Sequence, residues 1–415
     1  MLAEVISIGD ELTSGQRLDT NSQWLSERLG ELGIRVLYHT TVADDLAANI
    51  GVFRQAAGRV DLILATGGLG PTADDLTRDA LAQAAGVPLM LDEPSLAHIR
   101  ALFARRERPM PERNVVQAML PDGSRAIPNP HGSAPGIDMT LPRADGGGCR
   151  LFSLPGVPAE MREMWSGTVE GELAKLSGGR VIRHFRLKCF GVGESDLEAM
   201  LPDLIRRGRT PSVGITVSGA TITLRITAEG ASADACQAAI GPTIETIHGC
   251  LGTLVFGEED DELEHAAARL LQERGATLAT AEWGTGGLIA RWLTEAPQAA
   301  AHYRGGFVAT SAESLARLPG VPAGVGEQPP ASAEVAAALA AACRDTFHAD
   351  YGLSVSAFPP FDPQATTPGT VYFGLADKRG VTVKSTPYWG HPDILKTRCA
   401  KHALNVLRLS LLAGG

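Results

Sequence analysis

The sequence predicts an α/β protein of two or three domains, and three observations support this. Short apolar runs typical of buried parallel strands alternate with segments whose apolar residues recur at helical spacing. Loops rich in glycine and carboxylates follow those runs, where open α/β sheets place their ligands. The length, 415 residues, exceeds that of one ordinary domain. We expect a doubly wound first domain, a small α+β second domain and an α/β third domain.

The composition excludes several classes of protein. Hydrophobic residues make up 44% of the chain and charged residues 20%, as in ordinary globular proteins. The net charge of -10 argues against a broad positively charged surface for nucleic-acid binding, although it leaves open a local basic patch. The six cysteines contain no C-x-x-C pair, so neither a zinc site nor a disulfide framework is supported. The start of the chain lacks a basic leader with a long apolar segment, and no apolar run is long enough to cross a membrane. We expect a cytoplasmic protein without membrane contact.

Strand and helix signals alternate from the start of the first domain, predicted over residues 1–170. We predict a strand over 4–8, a helix that opens at Asp19 and ends at Gly33, and a strand over 35–42. A helix capped by Asp44 and Asp45 then runs through residue 57, and a buried strand covers 62–66. This spacing indicates a parallel sheet with helices on both faces.

The loop over residues 65–75, Ala-Thr-Gly-Gly-Leu-Gly-Pro-Thr-Ala-Asp-Asp, organises the first domain. Glycines let a backbone approach a ligand closely, and amide groups at a helix start attract anions such as phosphate. Adjacent carboxylates offer hard oxygen ligands for a divalent cation. The alternative is that these residues only cap the helix and make the turn. The loop is not a P-loop, because no Lys-Ser/Thr pair follows it.

Further loops are expected at the same edge of the sheet. Gly9-Asp10-Glu11 and Asp44-Asp45 follow strands, and the polar, glycine-rich stretch 129–136 lies further along the chain. A strand over 151–154 leads into a helix in which Glu160 falls in the first turn, where the helix dipole favours a carboxylate. Taken singly, each loop is explained by capping or by an ordinary surface turn.

The middle domain, predicted over 171–258, has the order strand-helix-strand-strand-helix-strand, which is typical of a ferredoxin-like split unit. We predict its first helix from 194 through 205 and its last strand over 252–256. It contains no catalytic constellation. The third domain, predicted over 259–415, begins with an acidic linker and closes with an amphipathic helix over 395–412.

Five motifs follow one another in the first domain, namely Gly9-Asp10-Glu11-Leu12, Asp19-Thr20-Asn21, 66–75 with Thr77, 132–136 and 154–161. In their order and spacing they resemble the motifs of the CinA family of competence/damage-inducible proteins. The resemblance implies a molybdopterin-binding-like fold and a metal-dependent ADP-ribose pyrophosphatase that yields AMP and ribose 5-phosphate. It implies magnesium, manganese or cobalt as the divalent metal, with potassium as a further activator. It also implies a homodimer and an association with the recombinase RecA.

Carboxylates and glycines of these motifs are the candidate site residues. A metal that activates water and neutralises developing charge suits diphosphate hydrolysis. We predict metal contacts from Asp10, Asp74, Asp75 and Glu160, of which Asp74, Asp75 and Glu160 are also the predicted catalytic residues. We predict substrate contacts from Gly67, Gly68, Gly70, Asn21, Asn129 and Ser133. Ser133 stands where the family usually has Thr, which keeps a hydroxyl.

The stretch 281–287, Ala-Glu-Trp-Gly-Thr-Gly-Gly, follows a strand predicted over 277–281. It resembles the signature Ala-Glu-Ser-Cys-Thr-Gly-Gly of the CinA carboxy-terminal domain, which in active members deamidates nicotinamide mononucleotide. Trp283 stands at the nucleophilic serine of that signature, and Gly284 replaces its cysteine. Thr310 stands at a family tyrosine, and Leu315 stands at the lysine base of the serine. Residues 356–360 replace a glycine-rich binding loop. The changes at three catalytic positions, 283, 310 and 315, and in this loop predict an inactive domain retained for packing.

Two other classes of function stay open at this point. The first domain would be a binding module if it held a pterin or a nucleotide without turnover. The chain would be an interaction protein if it served DNA uptake or repair, but its net negative charge does not support this hypothesis.

Overall fold

The computed structural model describes residues 1–176, 178–201, 203–206, 208–360 and 366–414. The chain forms two compact units, Met1–Arg183 with Ala228–Ala238 and His184–Thr227 with Ala239–Gly415. The three-domain boundaries at residues 170 and 258 stay predictions. The predicted α/β class is confirmed, because helices and mixed sheets alternate along the chain.

The first unit is built on a six-stranded sheet. The strands are Leu2–Ile8, Arg35–Val42, Leu62–Thr66, Leu89–Leu91, Met119–Pro121, Arg125–Ile127, Gly136–Pro142 and Gly148–Leu154, numbered β1 to β8. The helices are Asp10–Thr13, Thr20–Glu31, Leu46–Arg59, Thr77–Ala85, Glu93–Arg105, Pro158–Met164 and Glu170–Leu176, numbered α1 to α7. The sheet has the order β2-β1-β3-β8-β7-β6. Strands β1, β2, β3 and β8 run parallel, whereas β7 pairs antiparallel with β8 and β6 pairs antiparallel with β7. The antiparallel edge forms because short connections join β6 to β7 and β7 to β8 and leave no room for a crossover helix.

Strand β3 lies at the centre of this sheet, and its alternate residues enter two different cores. Ile63 and Ala65 pack in one hydrophobic cluster, and Leu62 and Leu64 pack in the other. Because successive side chains of a strand point to opposite faces, a strand covered on both faces reads as a continuous apolar run. This is the run that predicted a buried parallel strand.

The helix starts agree with the capping signals of the sequence. The Asp19 carboxylate accepts a hydrogen bond from the Ser22 amide at 2.9 Å, and the Asp45 carboxylate accepts one from the Ala48 amide at 2.8 Å. Each bond satisfies an amide that has no partner within its helix.

The middle segment forms a four-stranded sheet, as expected for the split unit. Its strands are Val181–Cys189, Ser212–Ser218, Thr221–Gly230 and Val255–Glu258 (β9 to β12), and its helices are Glu194–Ala199 and Ala233–Leu251 (α8 and α9). The strand order is β10-β11-β9-β12. Helix α8 ends at Ala199 instead of residue 205, because the proline at 202 disfavours helical backbone before it. Strand β12 begins at Val255, after a 3₁₀ turn, and not at residue 252 as predicted.

The last segment forms a five-stranded sheet. Its strands are Leu278–Glu282, Tyr303–Val308, Tyr351–Val355, Gly369–Asp377 and Gly380–Tyr388 (β13 to β17). The strand order is β14-β13-β15-β16-β17. Strands β13, β14 and β15 are parallel to one another, whereas β16 pairs antiparallel with β15 and β17 pairs antiparallel with β16. The helices are Leu263–Arg274, Leu288–Glu295, Ala312–Ala316, Ala333–Thr346 and Pro392–Ala413 (α10 to α14). Among the described residues, no helix combines the length and the apolar character that a membrane crossing requires.

Candidate functional site

A cleft of about 500 Å³ opens beyond the carboxyl ends of β1 and β3 in the first unit. Open α/β sheets bind their ligands at this edge. Its lining includes seven of the residues predicted for the site, namely Gly67, Gly68, Gly70, Asp74, Asp75, Ser133 and Glu160. The loop over 65–75, the stretch 129–136 and the start of α6 therefore meet around one opening.

The glycine loop presents two backbone amides on its open side. The Thr77 hydroxyl donates to the Gly67 carbonyl at 2.9 Å, and the Thr77 amide donates to the Gly68 carbonyl at 3.2 Å. Since a trans peptide directs its N–H opposite to its C=O, the amides of Gly68 and Leu69 point away from α4. Within the described part of the chain, neither amide donates a hydrogen bond. Successive free amides of this kind form a concavity that suits an anion.

Glycine is required at both positions where the loop turns. Gly67 has φ of 105°, and a Cβ atom on it would lie 2.2 Å from the Ile8 carbonyl oxygen. Gly68 has φ of 64°, and a Cβ atom on it would lie 2.3 Å from the Thr77 hydroxyl oxygen. The loop can therefore approach β1 and α4 only without side chains.

A buried arginine that the sequence analysis missed lies behind the loop. Arg78 on α4 donates from Nη1 to the Leu69 carbonyl and from Nη2 to the Gly70 carbonyl, each at 2.7 Å. Only 3% of the residue is exposed, and burial lowers the pKa of its guanidinium. In the sequence, a buried arginine on a helix cannot be distinguished from an arginine on the solvent-exposed face.

The Asp75 carboxylate is used within its own turn. Its Oδ1 accepts from the Gly70 amide at 2.7 Å, and its Oδ2 accepts from the Thr72 amide at 2.8 Å and from the Thr72 hydroxyl. Neighbouring Asp74 is exposed and lines the cleft. The two adjacent aspartates therefore differ, one holding the loop and the other facing solvent.

Among the residues that the structure describes, four carboxylates besides Asp75 line the cleft and form its acidic rim, namely Glu11, Asp44, Asp74 and Glu160. The Asp10 amide donates to the Asp44 carboxylate at 2.9 Å, and the Asp44 amide donates to the Asp10 carboxylate at 3.1 Å. Burial raises the pKa of Asp44, and the charges of Asp10, Glu11 and Asp74 raise it further. Asp44 and Glu11 are among the described residues that line the cleft, whereas Asp10 is not among them.

Glu160 is held at the rim by a buried asparagine. Asn129 donates from Nδ2 to Glu160 Oε2 at 2.7 Å and to the Ala134 carbonyl at 2.9 Å, and its Oδ1 accepts from the Gly132 amide at 2.8 Å. These bonds fix the loop that carries Ser133. Asn129 is absent from the described lining of the cleft, so its contacts are those of a support for Glu160.

Asn21 on α2 lies beside the cleft, where it lines a small side cavity. Its Nδ2 donates to the Gly156 carbonyl at 2.9 Å and to the Thr66 hydroxyl at 3.2 Å. These bonds tie α2 to the ends of β3 and β8. The role of Asn21 toward a substrate stays a prediction.

The carboxylates predicted to hold a metal do not form a metal centre by themselves. Among the described residues, no group of three or more His, Cys, Asp or Glu side chains is arranged to hold a metal ion. Asp75, Asp10 and Glu160 instead bind amide groups of the protein. This donor set does not fit a preformed divalent site, and we derive no chemical step through a metal.

Two of the positions predicted to be degenerate, Trp283 and Leu315, lie in one apolar cluster of the third domain. Leu315 is fully buried, and half-buried Trp283 packs against the same hydrophobic cluster. Glu282 is 1% exposed and accepts from the Thr285 hydroxyl at 2.6 Å and from two amides at the start of α11. Thr310 is exposed. The retained glutamate therefore supports a helix start, and an apolar cluster lies where the nucleophile and base are expected.

Neighbouring Ser311 and Ser314 form a capping box at the start of α12. The Ser314 amide donates to Ser311 Oγ at 3.1 Å, and Ser314 Oγ accepts from the Thr310 and Ser311 amides. Both hydroxyl groups therefore serve the helix start.

Comparison with known proteins places three families in order along the chain. Residues 4–175 match the family described as "Probable molybdopterin binding domain", residues 184–257 the "Damage-inducible protein CinA KH domain", and residues 260–411 the "CinA C-terminal domain". A protein of Symbiobacterium thermophilum named as competence-damage inducible is 38% identical over 99% of each chain. A CinA-like protein of Frankia casuarinae is 36% identical over 100% of this chain and 97% of its own. The crystal structure of a CinA protein from Thermoplasma acidophilum covers 42% of this chain and 99% of its own, at 33% identity and a TM-score of 0.38.

Proposed function

The chain belongs to the CinA family, and on that premise we propose that its first segment hydrolyses ADP-ribose to AMP and ribose 5-phosphate. The observation that carries the proposal is the pair of free amides, Gly68 and Leu69, in a cleft of about 500 Å³. That volume lies within the range of small-molecule sites. Two adjacent amides in a glycine turn bind phosphate oxygens, and a diphosphate carries several of them.

The residues in and behind the cleft have different proposed roles in binding a diphosphate. The loop amides bind a phosphate oxygen, and the cation of Arg78 behind them adds a favourable field. Exposed Asp74 and the supported Glu160 stand on the rim, where the hydrolytic chemistry is proposed to occur. Because an acidic rim repels a diphosphate, we propose that a divalent cation, with potassium as a further activator, accompanies the substrate.

A product assay tests this proposal. Full-length protein is incubated with ADP-ribose and magnesium, manganese or cobalt, with and without potassium, and the products are separated by chromatography. We expect AMP and ribose 5-phosphate in equal amounts, with no product in a chelator. The absence of product under every condition would overturn the proposal.

A second function, binding of a nucleotide or pterin without turnover, is favoured by one observation. Asp10, Asp75 and Glu160 already accept hydrogen bonds from amide groups of the protein. Tight binding of ADP-ribose in calorimetry, combined with no product in the assay above, would support this function over hydrolysis.

For the third domain we propose the absence of nicotinamide mononucleotide deamidase activity. The supporting observation is that Trp283 and Leu315 pack against one hydrophobic cluster where the reaction needs a nucleophile and a base. We propose that this domain is retained for its packing.

A further inference from the structure

We infer that Arg78 is a positioning residue, which keeps two carbonyl oxygens of the glycine loop away from the phosphate that the free amides of the loop bind. This inference rests on the proposed function of the cleft. Its starting point is that four consecutive carbonyl oxygens, from Gly67 to Gly70, each accept a hydrogen bond from α4. Thr77 holds the first two, and Arg78 holds the last two.

The bonds of Arg78 keep two oxygens of the loop away from the cleft. A peptide can rotate about its flanking bonds, and glycines make this rotation easy. With the carbonyls of Leu69 and Gly70 fixed on the guanidinium, these two oxygens cannot turn toward the cleft. Gln117 Nε2 reaches the Leu69 carbonyl at 3.5 Å, and Asn114 orients Gln117 through a bond of 2.9 Å. Oxygens turned outward would repel a phosphate beside the free amides, so their removal favours anion binding.

The charge of Arg78 adds to the effect of its geometry. The side chain is buried under the loop, where solvent screens its field less than at the surface. The Asp75 and Asp79 charges lie close enough to act on it, so part of its charge is balanced within the protein. A planar guanidinium spans two carbonyls at once, whereas a lysine ammonium is a point charge that cannot reproduce this fork.

Arg143 provides a matched control within the same unit. It also donates to two backbone carbonyls, from Nε to Ala57 at 2.8 Å and from Nη2 to Val60. It is not among the described residues of the cleft lining. A purely structural role of Arg78 predicts the same result for both arginines, namely lower stability with unchanged anion affinity.

Calorimetry with inorganic pyrophosphate, in a buffer that contains magnesium, tests the inference on the full-length chain. We expect Arg78→Met to weaken pyrophosphate binding by about tenfold or more, since bonds that involve a charged group are the strong ones. Arg78→Lys should recover part of the affinity, and Arg143→Met should bind like the wild type. Unfolding curves of all variants confirm that each is folded. If Arg78→Met does not fold, Arg78→Lys should still weaken binding relative to Arg143→Lys.

Two results would overturn the inference, namely no pyrophosphate binding by the wild type and equal affinity in the wild type and folded Arg78 variants. With ADP-ribose as substrate, Arg78→Lys should raise KM more than it lowers kcat, because the loop acts on binding. Wild-type protein that binds pyrophosphate through Arg78 but releases no AMP would overturn the proposed function alone. Turnover with Arg78 variants that bind like the wild type would overturn only the inference.

Discussion

The ring of Phe358 lies 2.3 Å from the point where a Cβ atom would stand on Gly284. Phe358 also packs against Tyr388, with ring centroids 5.0 Å apart. Gly284 replaces the cysteine of the family signature, and Phe358 belongs to the segment that replaces a glycine-rich loop. The two departures from the family pattern therefore depend on each other, because the Phe358 ring fills the space that a side chain at position 284 would need.

The first prediction follows from this contact. Gly284→Ala should lower the free energy of unfolding by about 1–3 kcal/mol, the usual cost of overpacking. Adding Phe358→Ala should remove the clash, so the two changes should be strongly non-additive in chemical denaturation. Gly249→Ala, at a helical glycine with open space around it, is the control and should not destabilise. Additive costs at 284 and 358 would show that the ring does not restrict residue 284.

The second prediction concerns the proposed absence of deamidase activity in the third domain. Wild-type protein should release no ammonia from nicotinamide mononucleotide, and the pair Trp283→Ser with Leu315→Lys should not restore activity. Position 315 is fully buried among apolar side chains, so a lysine there should destabilise by several kcal/mol. An ammonia assay and a melting curve of each protein check this. Ammonia release by the wild type would contradict the prediction.

The third prediction separates clash from backbone strain in the glycine loop. Gly67→Ala and Gly86→Ala both place a side chain at positive φ, which costs roughly 1–2 kcal/mol. Only Gly67→Ala adds a clash, with the Ile8 carbonyl at 2.2 Å, because the space around Gly86 is open. We expect Gly67→Ala to lose ADP-ribose turnover and more stability than Gly86→Ala, which should keep its turnover. Equal effects of the two changes on turnover would contradict the geometry of the loop.

The fourth prediction distinguishes the adjacent aspartates. Asp75→Asn replaces an acceptor oxygen by an NH₂ group that faces the donors of the loop, so it should cost about 2 kcal/mol of stability and lower turnover. Asp74→Asn should lower turnover with no change in stability, since its side chain is exposed. Denaturation and product assays on both variants measure the difference. Full activity of folded Asp75→Asn would reject its assignment to the site.

The fifth prediction concerns pH and the second unit. Burial lowers the pKa of His402 to about 4, against an ordinary value of 6.5, where it packs between Phe190 and Phe373. Between these values the unfolded chain binds the proton and the folded chain does not. Stability should therefore fall as the pH falls from about 6.5 to 4, by up to about 3 kcal/mol.

Urea unfolding at pH 7 and at pH 4.5 measures this effect. His402→Leu should flatten the pH dependence, whereas the same change at exposed His248 should leave it as in the wild type. If the free energy of unfolding changed equally with pH in the wild type and in His402→Leu, another titrating group would control the pH dependence.

The sequence by itself determined the α/β class, the buried central strand, the capped helix starts and the loop at which the candidate site lies. These features depend on residues close together in the chain. The Asp19 and Asp45 carboxylates each bind the amide three residues further along the chain. In β3, five consecutive apolar or small residues are enough to indicate a strand that is buried on both faces. The family motifs are local in the same way, and this is why the resemblance was found from sequence and then confirmed by the matches along the chain.

Only the tertiary structure decided which polar groups meet. Asn129 supports Glu160 from 31 residues away, and Asn21 binds the Gly156 carbonyl from 135 residues away. The roles of Asp75 and Arg78 depend on the direction of a few carboxylate oxygens and N–H groups, which residue type does not encode. A hydrogen bond requires its donor and acceptor within about 3 Å and in line. Chain folding sets that distance and direction, so the sequence located the loop while the fold determined which of its groups are free to bind.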